Sequence, residues 1–168
     1  FLSALLLIGP YTRKGVEIQV TRGPVSRPYI DITLETMTRF GVHCDRRSYE
    51  WFRVPGGQVY RCGPVRVEPD CSQAGYFWAA AAITGSTVEV DGTRLESRQG
   101  DIRLVEILAR MGCTVARHTS GVAVTGGELS AADIDMGDIP DVVPTLAVVA
   151  AFARGRPVIR HVAPRKEK

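Results

Sequence analysis

Three loops of the chain combine serine, arginine or lysine with the predicted start of a helix. They cover residues 26–31, 97–101 and 165–168. A helix start offers free backbone N–H groups and the positive end of the helix dipole, and serine and arginine add further donors for an anion. The pattern is compatible with a phosphate site, and also with ordinary solvated loops, because Ser-Arg dipeptides are common.

A cluster of carboxylates lies in the second half of the chain. No histidine or cysteine lies within the cluster and its spacing differs from that of an EF-hand loop, so it does not indicate a metal site. Asp133 and Asp135 are expected on the solvent face of a strand. Asp141 follows Pro140 at the start of an apolar helix, where an acid either stabilises the first turn or accepts a proton from a substrate hydroxyl. The cluster comprises Asp133, Asp135, Asp138 and Asp141.

Other candidates for chemistry carry less information. His43 and His118 are expected at the surface with no obvious carboxylate or other base as a partner, and His161 ends a predicted strand from which it could approach a site. Neither a nucleotide-binding glycine loop nor a Gly-x-Ser-x-Gly motif is present in the sequence. Trp78 stands in an apolar helical run, which predicts a role in core packing.

The elements that must position these residues repeat every 70 residues. Gly15, Gly85 and Gly155 are spaced at this interval, and each is expected to end an apolar helix by adopting a positive φ. The helical runs are apolar nearly all round, which predicts helices buried on every side. These runs cover residues 2–8, 76–83 and 142–152.

A strand is predicted after each of these glycines, because polar and apolar residues alternate there with period two. Such alternation indicates a sheet with one face in solvent. Second helices are expected at 31–40 and 101–111, with Asp31 and Asp101 in their first turns. Two further strands close each copy, at 49–54 and 59–67 in the first copy and at 121–124 and 134–136 in the second.

Apolar helices combined with half-exposed strands predict an unusual α/β architecture. Helices would lie inside and sheets outside, the reverse of a common α/β fold. The segment of residues 67–70 separates the first two copies and reads Val-Glu-Pro-Asp. It is either a hinge or an ordinary loop.

Composition narrows the class of protein. The chain has 168 residues, of which 45% are hydrophobic and 23% charged, as in soluble globular proteins. A net charge of +3 is too small to indicate nucleic acid binding. The apolar run 1–8 is too short to span a membrane and lacks the basic lead of a signal peptide. The four cysteines form no CxxC pair, which favours reduced thiols in a cytoplasmic protein over zinc or disulfides.

Residues 26–33 read Ser-Arg-Pro-Tyr-Ile-Asp-Ile-Thr. They resemble the Ser-Lys/Arg-Pro-Tyr-Ile-Asp-Ile-Thr stretch of the EPSP synthase family of enolpyruvyl transferases, and further motifs similar to those of the family occur in the family's order. Residues 68–83 are similar to its Asp-x-Ser-x-x-x-Tyr-Phe helix with an alanine run. Shorter matches lie at 99–101, 139–141 and 166–167, so the resemblance covers nearly the whole chain.

The resemblance implies a particular fold and domain organisation. The family fold is an inside-out α/β barrel of helix-strand-helix-strand-strand units, with buried helices and solvent-facing sheets. Residues 1–67 would end a first domain, 68–70 would form the hinge, and 71–168 would begin a second domain. The family's N-terminal lysine, glycine-rich loop and phosphoenolpyruvate-binding arginines are not in this sequence. We therefore expect an internal fragment whose partner is the remaining part of the enzyme.

The resemblance also implies a reaction. An enolpyruvyl group passes from phosphoenolpyruvate to the 5-hydroxyl of shikimate 3-phosphate and phosphate leaves, without a metal or organic cofactor, nucleic acid or membrane. Addition and elimination need a base for the hydroxyl and an acid for the methylene carbon. Asp141 matches the family's proton acceptor, and Glu167 matches the glutamate assigned to proton transfer. Residues implied in substrate binding are Ser26, Arg27, Tyr29 and Lys166.

Two other functions stay open at this point. A UDP-N-acetylglucosamine enolpyruvyl transferase would share the fold and the repeat, but is expected to lack the Ser-Arg-Pro-Tyr motif of residues 26–29. A half-domain that binds anions or assembles with a partner without catalysis would also fit an incomplete motif set. The segment 161–165 is shorter than in the family, which weakens the match of Lys166 and Glu167 more than that of Asp141.

Overall fold

The computed structural model describes residues 1–24 and 27–162. The chain divides into two compact units, Phe1–Arg66 and Val67–Lys168. Each unit has its own sheet and its own hydrophobic core. Among the described residues, no helix has the length and apolar character needed to cross a membrane.

The first unit contains two helices and one antiparallel sheet. Its sheet has the order β1-β3-β2, so the last strand of the unit lies in the middle. Ile18 of β1 and Arg46 of β2 both pair with Phe52 of β3. Its elements are α1 (Leu2–Ile8), β1 (Val16–Gln19), α2 (Arg27–Arg39), β2 (Asp45–Arg47) and β3 (Trp51–Val54).

The second unit begins with the same succession of elements and then continues. Its first sheet has the order β4-β6-β5, again with the last strand in the middle, while β7 and β8 form a separate parallel pair. A 3-10 turn at Gly100–Ile102 leads into α4. The elements are α3 (Cys71–Thr84), β4 (Thr87–Asp91), α4 (Arg103–Arg110), β5 (Thr114–Arg117), β6 (Gly121–Thr125), β7 (Asp133–Asp135), α5 (Val143–Ala150) and β8 (Val158–Arg160).

The predicted repeat of helix, strand, helix, strand, strand is confirmed, but its strands lie partly elsewhere. The second strand of each copy is β2 or β5, and neither was expected from the sequence. The expectation of a strand in residues 59–67 is wrong, because this stretch has no regular structure. Gly63 and Pro64 interrupt it, and proline cannot donate a hydrogen bond to a sheet.

The glycines at the 70-residue interval all adopt the predicted positive φ, at 80° for Gly15, 69° for Gly85 and 96° for Gly155. Only Gly85 is the C-cap of its helix. The other two helices end earlier, at Ile8 and Ala150. There the chain leaves the helix through tighter turns with i−3 hydrogen bonds, from Thr12 N to Gly9 O and from Phe152 N to Val149 O.

The starts of the second helices also differ from the sequence prediction. Helix α2 begins at Arg27, so Asp31 is not a first-turn acid. Pro28 explains the earlier start, because the first turn of a helix tolerates its missing N–H group and its fixed φ. Asp101 does lie at a helix start, in the 3-10 turn Gly100–Ile102, and its exposure is only 6%.

The apolar helices were expected to be buried on every side, and within each unit they are buried on one side only. In α1 only Leu6 is fully covered, whereas Leu5 and Ile8 are exposed. Trp78 is buried in α3 as predicted, but Tyr76 on the same helix is exposed. Each of these helices packs one side against the elements of its own unit, and its opposite side is not covered by any of the described residues of that unit. Other exposed apolar residues of these helical stretches are Leu7, Phe77, Val148 and Phe152.

Candidate functional site

The six residues assigned to substrate or catalysis from the sequence fall in both units. Arg27 and Tyr29 lie in the first turn of α2 in the first unit, and both are exposed. Asp141 lies in the 3-10 turn before α5 in the second unit. Ser26, Lys166 and Glu167 lie outside the described residues.

A polar cluster joins the first two turns of α2 to β2 and to the turn between β2 and β3. The Asp31 carboxylate accepts a hydrogen bond from the Arg46 guanidinium at 2.5 Å through Oδ1. It accepts a second one from the Tyr49 hydroxyl at 2.6 Å through Oδ2. The guanidinium groups of Arg27 and Arg46 both lie over the Tyr49 ring, and their Cζ atoms are 5.1 Å and 5.4 Å from the ring centroid. From the sequence, Asp31 is expected only as an acid in the first turn of a helix, and Arg46 and Tyr49 have no expected role in the site.

The register of the sheet places these side chains. Arg46 pairs with Phe52, a fully buried core residue, so both side chains point to the helix side of the sheet. Tyr49 occupies the turn between β2 and β3, which Glu50 N closes on Arg47 O at 3.1 Å. Ser48 makes this turn possible by adopting a φ of 48°. The aromatic-charged spacing of Arg46, Arg47 and Tyr49 was the sequence signal that could have indicated such a cluster.

The contacts within the cluster favour the protonated forms of both Tyr49 and Arg46. The hydrogen bond to Asp31 raises the pKa of Tyr49 above its ordinary value, and burial acts in the same direction. The same carboxylate raises the pKa of the Arg46 guanidinium through its hydrogen bond. Tyr49 therefore stays a protonated donor and Arg46 a cation across the neutral range.

Asp141 is held at the surface by its neighbours in the chain. Ile139 and Val142, on either side, are buried in the core of the second unit, and Pro140 opens the turn. This anchoring keeps the exposed carboxylate at the beginning of α5. An exposed carboxylate at that position can accept a hydrogen bond or a proton from a bound hydroxyl group.

The other aspartates of the cluster belong to surface ion pairs. Asp133 and Asp135 are exposed in β7, as predicted, on either side of the buried Ile134. A hydrogen bond from Arg160 lowers the pKa of Asp133, and the backbone N–H of Gly137 lowers that of Asp135. Within residues 1–24 and 27–162, no group of three or more potential metal ligands occurs.

His43 and His118 are exposed as expected, His161 is exposed as well, and each of the three has a carboxylate partner. His43 lies 2.8 Å from Asp45. His161 lies 3.0 Å from Asp135, and His118 is 3.6 Å from Glu89. The expectation that His43 and His118 lack such partners was therefore wrong. All four cysteines are free thiols.

The motif at residues 99–101 has a structural role that the sequence did not indicate. The Gln99 side chain donates to Pro69 O at 2.7 Å and to Glu68 Oε2 at 3.1 Å, and it accepts from Cys71 N at 2.8 Å. Ser97 adds a hydrogen bond to the same Glu68 oxygen at 2.8 Å. These bonds tie residues 68–71, including the predicted hinge, to the loop before α4.

Solved structures share this fold. A crystal structure of the enolpyruvyl transferase NikO from Streptomyces tendae matches with a TM-score of 0.67 and 17% identity, covering 92% of this chain and 38% of that one. The EPSP synthase from Acinetobacter baumannii matches with a TM-score of 0.73 and 25% identity, covering 94% of this chain and 37% of that one. The helix-in, sheet-out repeat is thus the inside-out α/β fold of the enolpyruvyl transferases.

The sequence comparisons identify the family. The sequence model of EPSP synthase (3-phosphoshikimate 1-carboxyvinyltransferase) matches residues 1–168. A 3-phosphoshikimate 1-carboxyvinyltransferase of Escherichia coli (strain SMS-3-5 / SECEC) is 45% identical over 163 residues, which are 96% of this chain. The corresponding protein of Shigella boydii serotype 18 matches to the same extent. The chain therefore belongs to the EPSP synthase family, and it spans 38% of the length of these curated relatives.

Proposed function

We propose that this chain works as part of an enzyme that transfers the enolpyruvyl group of phosphoenolpyruvate to the 5-hydroxyl of shikimate 3-phosphate and releases phosphate. The observation that carries the proposal is the family match over residues 1–168. The motif at the start of α2 supports it, because a guanidinium and free backbone N–H groups at a helix start are suited to a phosphate group. The reaction belongs to the shikimate pathway, which leads to the aromatic amino acids.

Each assigned residue has a role in this proposal. Arg27, with Ser26, binds the phosphate of shikimate 3-phosphate, and Tyr29 contacts its ring. Asp141 accepts the proton of the attacking hydroxyl, a role that suits its exposed carboxylate. Lys166 binds phosphate or the tetrahedral intermediate, and Glu167 transfers the proton at the enolpyruvyl carbon. The reaction needs no metal or organic cofactor in this proposal.

The partner of this chain is the remaining part of the enzyme. Residues 1–67 end one domain, residues 71–168 begin the next, and residues 68–70 are the hinge. The exposed apolar side chains of α1, including Leu5 at 50% and Ile8 at 56% exposure, support a further covering layer. The free thiols fit the reducing cytoplasm, which is our proposed location.

A segment exchange tests the proposed activity. This chain would replace the matching segment of the E. coli relative, and release of inorganic phosphate from phosphoenolpyruvate would be followed with and without shikimate 3-phosphate. We expect release that depends on shikimate 3-phosphate, at a rate comparable to that of the parent. A folded chimera that releases none would contradict the proposal and favour a non-catalytic assembly function.

Two aspartates three positions apart separate chemistry from surface charge. Asp141→Asn in the chimera is expected to lower kcat by a factor of about 10² to 10⁴, because the proton acceptor is lost. Asp138→Asn makes the same chemical change at an exposed residue that pairs with Arg103 at 3.4 Å, and it should leave kcat unchanged. Equal effects of the two variants would remove Asp141 from its proposed role.

A further inference from the structure

Arg46 in β2 and Tyr49 in the turn between β2 and β3 contact the first two turns of α2, and the proposed chemistry uses neither. We propose that both are positioning residues, which hold the first turns of α2 so that Arg27 and Tyr29 are oriented to bind the phosphorylated substrate. This inference rests on the proposed function. It assigns a task to the turn between β2 and β3, which carries none of the assigned residues.

Tyr49 acts on α2 in two ways. Its hydroxyl donates to Asp31 Oδ2 at 2.6 Å and so fixes the second turn of the helix. Its ring face lies against the Arg27 guanidinium, 5.1 Å from centroid to Cζ. The first contact fixes the helix backbone relative to the sheet, and the second restricts the rotamers of a long, exposed side chain. A binding side chain that is already restricted loses less conformational entropy when the ligand arrives.

Arg46 holds the same carboxylate from the sheet. Its guanidinium donates to Asp31 Oδ1 at 2.5 Å, so the two oxygens of Asp31 are held from two sides. Arg46 is fixed in turn by its pairing with the fully buried Phe52 in the middle strand. A charge-assisted hydrogen bond to a side chain that is 20% exposed is stronger than a bond between fully solvated groups. The orientation of α2 is thus tied to the core through Arg46.

Substitutions in the E. coli chimera separate positioning from folding. Tyr49→Phe keeps the ring and removes the bond to Asp31, whereas Tyr49→Leu removes both contacts. We expect KM for shikimate 3-phosphate to rise about three- to tenfold in the first variant and further in the second. The KM for phosphoenolpyruvate and kcat should stay within about twofold, because these variants affect only the orientation of the side chains that bind shikimate 3-phosphate.

Tyr60→Phe is the matched control. Tyr60 is half-buried in the same unit, and its hydroxyl donates to Leu7 O of α1 at 2.9 Å rather than to a residue of α2. The same loss of a hydroxyl there should leave KM for shikimate 3-phosphate unchanged. In an Asp31→Ala background, Tyr49→Phe should add little to KM, because the acceptor of the hydroxyl has already been removed.

The outcomes distinguish the inference from the function on which it rests. An inactive unsubstituted chimera would count against the proposed function itself. An active chimera in which Tyr49→Phe behaves like Tyr60→Phe would overturn the positioning role. Equal changes in both KM values, with a lowered melting temperature, would also overturn it, because they would indicate a merely structural residue.

Discussion

The two units are built from the same succession of elements, but they complete their cores to different degrees. Their sheets agree closely, since Phe52 and Val122, 70 residues apart, are both fully buried in the middle strand. Their first helices differ, since Ile8 in α1 is 56% exposed whereas Trp78, the equivalent residue 70 positions later in α3, is fully buried. Among the described residues, the buried core cluster has 6 members in the first unit and 21 in the second.

The additional helix of the second unit accounts for this difference. Helix α5 packs against α3 and supplies Leu146 and Val149 to the core. In the first unit, α1 packs against α2 and against the 3-10 turn Gly9–Tyr11, which follows α1 in the chain. A repeat with helices inside and a sheet outside therefore closes its core only when a further helix covers the first one.

The largest expected effect comes from removing a core side chain at the place where the units differ. Trp78→Ala should lower the free energy of unfolding by about 3–5 kcal/mol, because it leaves a cavity and removes the indole N–H that donates to Val122 O. Ile8→Ala, 70 residues earlier, should cost less than about 0.5 kcal/mol in the isolated chain. Denaturant unfolding with hydrogen exchange of each unit measures both.

The same pair of variants sharpens the comparison in the full-length chimera. There we expect the cost of Ile8→Ala to rise to about 1–3 kcal/mol, because the remaining part of the enzyme would cover α1. A cost at Ile8 that stays negligible in the chimera would show that no further layer covers this helix. A small cost at Trp78 would contradict the difference between the two cores.

A smaller difference in stability is expected between alanine substitutions at the equivalent glycines Gly15 and Gly85, and its origin is steric. A Cβ at Gly15 would lie 2.3 Å from the backbone oxygen of Val54, whereas a Cβ at Gly85 meets no atom within 4 Å. Both positions have positive φ, so each alanine costs about 1–2 kcal/mol of backbone strain. Gly15→Ala should cost about 1–3 kcal/mol more through the clash. Thermal unfolding of the two variants tests this, and equal losses would argue against the close approach of the chain at Gly15.

The smallest expected effect concerns the start of α3 and depends on pH. Asp70 caps this helix by accepting hydrogen bonds from Ser72 and Gln73, and the bond from the Ser72 hydroxyl is the main reason why the pKa of Asp70 is lowered. A lowered pKa in the folded state means that the cap stabilises above the unfolded pKa and is lost as pH falls through the folded one. Asp70→Ala should therefore cost about 1 kcal/mol at neutral pH and progressively less below about pH 4.

A control for this prediction is Asp91→Ala, at the exposed end of β4. It removes an acid from the same unit without removing a cap, so neutral-pH stability should change by less than about 0.5 kcal/mol. If the effect of Asp70→Ala were independent of pH, capping by the ionised carboxylate would be the wrong explanation.

The sequence predicted the order of elements well, because the 70-residue repeat of glycines and apolar runs reflects helix ends and core faces. It did not predict β2 and β5, since β2 consists of three charged residues and β5 has only four residues, so neither carries a clear hydrophobic pattern. It predicted burial of α1 on every side, but an all-apolar helix does not reveal which part of a protein covers it, and within the first unit only Leu6 of this helix is fully buried. The contacts that depend on three-dimensional proximity could not be predicted, and Asp31–Tyr49 and Glu68–Gln99 are examples.

The most direct test of the account is calorimetric titration of the chimera with shikimate 3-phosphate, before and after Arg27→Gln. Arg39→Gln, at the other end of α2, is the control for a lost charge on the same helix. We expect saturable binding that weakens at least about tenfold with Arg27→Gln and is unchanged with Arg39→Gln. Binding that is equally strong in all three proteins would contradict the assignment of substrate binding to the start of α2.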